Sequence, residues 1–168
     1  MIKPTGINHI AMITSDLDRH RTFYEDVIGL DTQLVMGPGD DHGRHAILFA
    51  GNCVLHVFEV PGYDPAAQGV GGAMFERGRL DHLGFTVPDD VGLGEVRDRL
   101  VAAGATDGEI RPLGPTLSVR YWDPDGFEGE VNCFNPAFEP TYGDRDEIVD
   151  PGWLDRAERL LTSSVRAR

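Results

Sequence analysis

The sequence predicts an α+β fold in which two βαβββ modules form a curled mixed sheet, followed by a C-terminal helix. Two observations predict it. The apolar pattern passes twice through one order, an alternating stretch, a helical stripe and three further alternating stretches, over about residues 7–60 and again over about 80–135. The halves also carry matching polar residues at matching intervals. His9 in Ile7-Asn8-His9-Ile10 corresponds to His82 in Leu80-Asp81-His82-Leu83, and His56 follows His9 by 47 residues as Glu130 follows His82 by 48.

In the first module, residues alternate around His9, and Thr14-Ser15-Asp16-Leu17-Asp18 then supplies a hydroxyl or carboxylate to cap a helix. Leu17, Phe23, Tyr24, Val27 and Ile28 form its apolar stripe, and Gly29 ends it as a left-handed cap. Three strands follow at Asp31–Met36, Arg44–Phe49 and Asn52–Val60, separated by turns rich in Gly, Pro and Asp. Residues 61–79 contain Gly62, Gly69, Gly71, Gly72 and Gly78, and this irregular linker is expected to act as a flap over a site.

The second module predicts a strand over Asp81–Val87, a helix from about Gly94 to Ala103 ended by Gly104, and a short strand near Glu109. Two longer strands follow at Leu117–Trp122 and Glu128–Phe134. Between them Asp123-Pro124-Asp125-Gly126 reads as a tight hairpin turn that sets the register of Glu130, because Pro presets φ at the second position and Gly accommodates the exit. The repeat therefore fills one domain over residues 1–138. In the extension, 139–168, Asp150-Pro151 starts a last helix with the stripe Trp153, Leu154, Ala157, Leu160 and Leu161, expected to pack on the body or on a second subunit.

Composition narrows the function. The chain has 168 residues, is 40% hydrophobic, and sets 28 acidic against 15 basic residues for a net charge of −13. That balance argues against nucleic acid, whose binding depends on Lys and Arg neutralising phosphates. No apolar run reaches the roughly 18 residues of a membrane span, and no signal peptide is evident, so a soluble, cytoplasmic protein with a small-molecule substrate is expected. Cys53 and Cys133 sit in apolar strands, where a free Cys acts as a small hydrophobe.

Side chains alternate between the faces of a strand, so Ile7, Ala11 and Ile13 go with His9, Leu80, Gly84 and Thr86 with His82, and Glu128 and Asn132 with Glu130. These neighbours would line a half-apolar cup. His9, His56, His82 and Glu130 together predict a site for one divalent ion, Zn, Fe(II), Mn, Co or Ni, since imidazoles with one carboxylate suit these metals and calcium would require mostly oxygens. Glu130, between Gly129 and Val131, would carry a large desolvation cost unless it met a cation. At the fourth position Glu59 replaces His56 if the strand register differs. His20, His42 and His45 have no counterpart in the other half and are not assigned as ligands, with His20 expected on the solvated helix face. Arg120 would offer a substrate carboxylate or enolate a fixed fork of donors, or pair with an acid at the surface. Glu128 or Glu59 would serve in proton transfer.

Taken together, Ile7-Asn8-His9-Ile10, the helix from Asp16-Leu17 to Phe23-Tyr24-Glu25-Asp26-Val27-Ile28-Gly29-Leu30, Asp81-His82-Leu83-Gly84-Phe85, and Asp123-Pro124-Asp125-Gly126 followed by Glu130 resemble the vicinal oxygen chelate superfamily. That superfamily includes glyoxalase I, methylmalonyl-CoA epimerase, the fosfomycin and bleomycin resistance proteins and the extradiol dioxygenases. The resemblance covers roughly Ile7 to Asn135. It implies paired βαβββ modules around one divalent ion, with His9, His82 and Glu130 at the three commonest ligand positions and His56 at the fourth, where glyoxalase I carries a Glu. The extradiol signature places a Tyr three residues before the Asp-Pro turn, where this chain has Arg120. The implied function is a metal-dependent isomerase, epimerase or lyase with Glu130, Glu128 and Arg120 as catalytic candidates. The alternatives are an Fe(II) ring-cleaving dioxygenase built on His9, His82 and Glu130, and an antibiotic-binding resistance protein without catalysis. A homodimer is implied as well.

Overall fold

The computed structural model describes residues 1–39, 43–77 and 80–162. His42 lies outside the described residues, as do Gly78 and Arg79 at the end of the linker. The chain divides into two compact units, residues 1–82 with 122–128 and residues 83–121 with 129–168. The expected paired modules form two four-stranded mixed sheets, one from each half of the repeat. No helix among the described residues is long and apolar enough to cross a membrane.

In the first unit β1 (His9–Thr14) leads to α1 (Leu17–Thr22), and the coil continues as a π-helical stretch over Phe23–Ile28. The Asp16 side chain accepts from the N–H of Arg19, and Gly29 closes the helix at φ 95° with its N–H on the carbonyl of Tyr24. Asp31–Met36 (β2), His45–Ala50 (β3) and Cys53–Glu59 (β4) complete the sheet in the order β1-β4-β3-β2, with β1 parallel to β4 and the other pairs antiparallel. One face of this sheet is core. Thr14, Ala46, Leu48, Leu55 and Val57 are fully buried on it, and Leu17, Tyr24 and Ile28 are buried on the helix that packs against β3 and β4.

Glu59 closes the edge of that core. Its carboxylate accepts from the backbone N–H groups of Leu17 and Arg44 and from the Arg44 guanidinium at 2.9 and 3.1 Å. Those donors, the Arg44 side chain first, hold its pKa at about 2 against an ordinary 4.5.

The same unit contains the Asp123 turn. The carbonyl of Asp123 accepts from the N–H of Gly126, whose φ is 82°. Asp123 Oδ1 accepts from the N–H groups of Asp125 and Phe127, and Oδ2 accepts from the Tyr24 hydroxyl at 3.2 Å and stands 3.5 Å from His20 Nε2. Arg19 reaches Asp125 at 2.6 Å. Contrary to the sequence expectation, His20 is only 1% exposed and stacks on Tyr24. It lies three residues after buried Leu17, one helical turn on, and so falls on the core side.

In the second unit β5 (Leu83–Thr86) runs parallel to β8 (Glu128–Phe134), and β7 (Thr116–Trp122) and β6 (Ile110–Leu113) extend the sheet in the order β5-β8-β7-β6. β5 is shorter than expected, leaving His82 just before the strand. The helix α2 (Asp90–Ala102) starts four residues earlier than its apolar stripe suggested, because Asp89 caps it by accepting from the N–H of Gly92 at 2.9 Å. Leu93, Val96 and Leu100 of α2 and Val119, Tyr121, Val131 and Cys133 of β7 and β8 are the buried apolar residues of this unit. Cys53 and Cys133 are both free, and burial raises both thiol pKa values, in keeping with a packing role. The terminal helix α3 (Trp153–Thr162) is present, with Trp153 donating to the Tyr142 hydroxyl at 3.0 Å and set edge-on to Phe138.

Two outcomes follow from this packing. A Cβ on Gly129 would stand 2.2 Å from Cζ of Tyr121, which is 1% exposed and has no room to withdraw. Gly129→Ala should therefore cost about 1–3 kcal/mol in denaturant unfolding, as overpacking does, and an unchanged midpoint would contradict the packing. For Glu59 the folded-state pKa is the lower one, so its contribution is complete above about pH 4.5 and is lost as pH falls through about 2. The stability difference between wild type and Glu59→Gln, read from urea curves, should hold steady from neutral pH to near 5 and shrink steadily below that. A difference that stays constant to pH 2 would refute the assignment.

Candidate metal centre

In the first sheet the register places Ala11 and Ile47 on either side of His56, and His45 opposite Phe58. His9, Ala11, Ile13, His45, Ile47, Phe49, Val54, His56 and Phe58 therefore share the face opposite the core. The His9 and His56 rings lie 5.0 Å apart, and His45 is 5.0 Å from His56 on its other side. Ile13 and Phe49 are about half exposed, so this face has the mixed polar and apolar character expected of the cup. Glu59 pairs with Thr14 on the core face and is engaged by Arg44, whereas His56 lies on the opposite face.

The ring nitrogens are specifically arranged. His9 Nδ1 is 2.9 Å from the side-chain oxygen of Asn8, and His56 Nδ1 is 3.1 Å from His45 Nε2. His45, 9% exposed, stacks on Phe58 with ring centroids 4.0 Å apart and planes 11° from parallel. The repeat carried no signal for His45, because its place beside His56 comes from the β3–β4 register alone.

Around His82 the pattern recurs. His82 Nδ1 is 2.8 Å from Asp81 Oδ2, and Asp81 Oδ1 accepts from the N–H of Phe75 at 2.6 Å. Those two contacts, the imidazole first, hold the Asp81 carboxyl below its usual range. Phe75 sits at φ 70°, a left-handed conformation uncommon for a bulky residue, and the bond to Asp81 helps to fix it. Arg77 organises the described part of the Gly-rich linker. Its guanidinium donates to the carbonyls of Gly72 and Asp81 and to Glu128 Oε2 at 2.7 Å, in an ion pair whose partners are 8% and 2% exposed. Glu128 is thus held within an ion pair.

In the second sheet Glu130 of β8 pairs with Gly84 of β5, and Asn132 with Thr86. Tyr121 lies against Gly129, so these two share a face, and alternation puts Arg120 with Glu130 on the other. Arg120 is half-buried, and its charge reaches Asp107, which Arg111 chiefly holds at about 2.

Among the described residues no group of three or more His, Cys, Asp and Glu side chains stands in metal-binding geometry. The donor chemistry nonetheless fits a divalent ion. Each of the three imidazoles has Nδ1 engaged by a neighbouring side chain, as histidine ligands ordinarily have one ring nitrogen held. The registers of the two halves also agree. His56 pairs with the residue two places after His9, and Glu130 pairs with the residue two places after His82. Both of those partners, Ala11 and Gly84, are small.

Over residues 6–131 the chain matches the Glyoxalase/Bleomycin resistance protein/Dioxygenase superfamily. No curated protein matches it. Among solved structures, a glyoxylase/bleomycin resistance protein/dioxygenase domain from Frankia sp. EAN1pec is similar at 24% identity and a TM-score of 0.64, over 79% of this chain and 100% of that one. Lactoylglutathione lyase from Agrobacterium tumefaciens is similar at 24% identity and a TM-score of 0.55, over 77% of this chain and 94% of its own. The fosfomycin resistance protein FosX from Listeria monocytogenes, complexed with Mn(II) and sulfate, shares 16% identity at a TM-score of 0.56, over 80% and 96% of the two chains. With the repeat, the strand order and the match over three quarters of its length in hand, the chain belongs to the glyoxalase/bleomycin resistance protein/dioxygenase superfamily.

Proposed function

We propose that this chain is a divalent-metal enzyme that carries out isomerase, epimerase or lyase chemistry on a small substrate bearing neighbouring oxygens, with His9, His56, His82 and Glu130 as ligands. The observation that carries the reading is the equivalence of register, His56 beside Ala11 and Glu130 beside Gly84, which gives each half one ligand-type residue at each of two matching places. The Mn(II) in the structurally similar FosX is consistent with it. When bound, the ion supplies Lewis-acid stabilisation to a developing enolate or alkoxide on the substrate.

The roles of the chain's own groups follow from their surroundings. Arg120, on the Glu130 face, offers a planar fork of donors to a substrate carboxylate or enolate oxygen. Glu59 and Glu128 are occupied by Arg44 and Arg77, so among the carboxylates considered Glu130 is best suited to move a proton as well as to bind the ion. The half-apolar histidine face suits a compact organic substrate rather than a polyanion.

Metal analysis of protein purified without chelators should find close to one divalent ion per chain. His82→Ala and Glu130→Ala should each abolish tight binding, losing on the order of 100-fold in affinity or more. Wild type that retains no metal, or variants that keep it stoichiometrically, would overturn the proposal.

A further inference from the structure

Three hydrogen bonds at the candidate centre share one chemical pattern. His9 meets Asn8 Oδ1, His82 meets Asp81 Oδ2 and His56 meets His45 Nε2, and the nitrogen used is Nδ1 each time. A side-chain carbonyl and an ionised carboxylate have no proton to give, so the bonds to Asn8 and Asp81 form only with the proton on Nδ1. A neutral imidazole in that state carries its lone pair on Nε2, ready for a cation.

The pairs Asn8-His9 and Asp81-His82 stand at equivalent places in the two halves, so the repeat includes the residue that holds each ring as well as the ring itself. His56 follows Leu55, which is buried on the core face and has no acceptor to offer. Its partner comes instead from the neighbouring strand β3. Stacked on Phe58 and 9% exposed, His45 is fixed in the orientation that presents Nε2 to His56.

We infer that Asn8, Asp81 and His45 are positioning residues that hold the proton on Nδ1 of His9, His82 and His56, so that all three rings present Nε2 to a metal ion. The purpose rests on the metal-enzyme reading, whereas the tautomers are a property of the metal-free chain. For His56 the required arrangement is Nδ1–H donating to His45 Nε2. The opposite direction would leave the His56 proton on Nε2 and close that nitrogen to a cation.

The test combines long-range proton–nitrogen correlation spectra of the ¹⁵N-labelled, chelator-treated protein, above the imidazole titration range, with Zn(II) affinity from competition with a chromogenic chelator. Wild type should show Nδ1–H signatures for His9, His56 and His82. Asn8→Ala, Asp81→Ala and His45→Phe should each lose the signature of the dependent ring and weaken zinc binding about 10- to 100-fold. Asn8→Asp and Asp81→Asn keep an acceptor oxygen and should stay within about threefold of wild type. Alanine variants that retain the Nδ1–H signature, or conservative variants as impaired as the alanine ones, would overturn the inference. A wild type with mixed tautomers that binds zinc tightly would also overturn it while leaving the metal reading intact. Nδ1–H signatures in a wild type that binds no zinc would overturn the metal reading and leave the tautomer assignment in place.

Discussion

Parallel pairing of the first and last strands of each half is the constraint on which the candidate centre depends. A slip of one residue in such a pair moves every side chain to the other face. In the first sheet a slip would carry Leu55 and Val57 out of the core at roughly 2 kcal/mol each and would send His56 inward. Glu59 reinforces the correct register, since only there does its carboxylate meet the N–H of Leu17 and the Arg44 side chain together. In the second sheet the close fit of Tyr121 over Gly129 fixes β7 against β8 instead.

Two buried polar side chains near these strands, Asp123 and Arg77, each meet several partners at once. Asp123 receives two backbone N–H groups and the Tyr24 hydroxyl, and Arg77 spreads its donors over the carbonyls of Gly72 and Asp81 and over Glu128. Burying a single ion pair often returns little net stability, because desolvation offsets the attraction. Networks of this kind instead hold geometry. The turn at Asp123 keeps its shape, and the Gly-rich segment, which by composition would be free, is tied down as far as Arg77.

Much of this was legible in the sequence. The two halves, the Gly29 cap, the Asp123 turn and the terminal helix follow from local rules of spacing and backbone preference, and the structure forms each of them. The paired histidines were legible because the repeat wrote them twice. What escaped depended on contacts between distant segments. His45 is set beside His56 by cross-strand register, which local periodicity does not encode. Glu128 and Glu59 looked like free carboxylates because their partners Arg77 and Arg44 lie 51 and 15 residues away. The burial of His20 was within reach, since it follows Leu17 by one helical turn, but the polar residues around it masked the pattern.

In each half the buried apolar strand residues gather on one face of the sheet. His56 alternates with buried Leu55 and Val57, and Glu130 with Gly129 and buried Val131. Exchanging one side chain for another at either place leaves the buried residues beside it in position. Selection for a different chemistry at either place therefore meets little resistance from the demands of folding. A His in one half and a Glu in the other is the sort of asymmetry that a duplicated scaffold can acquire by drift and then put to use.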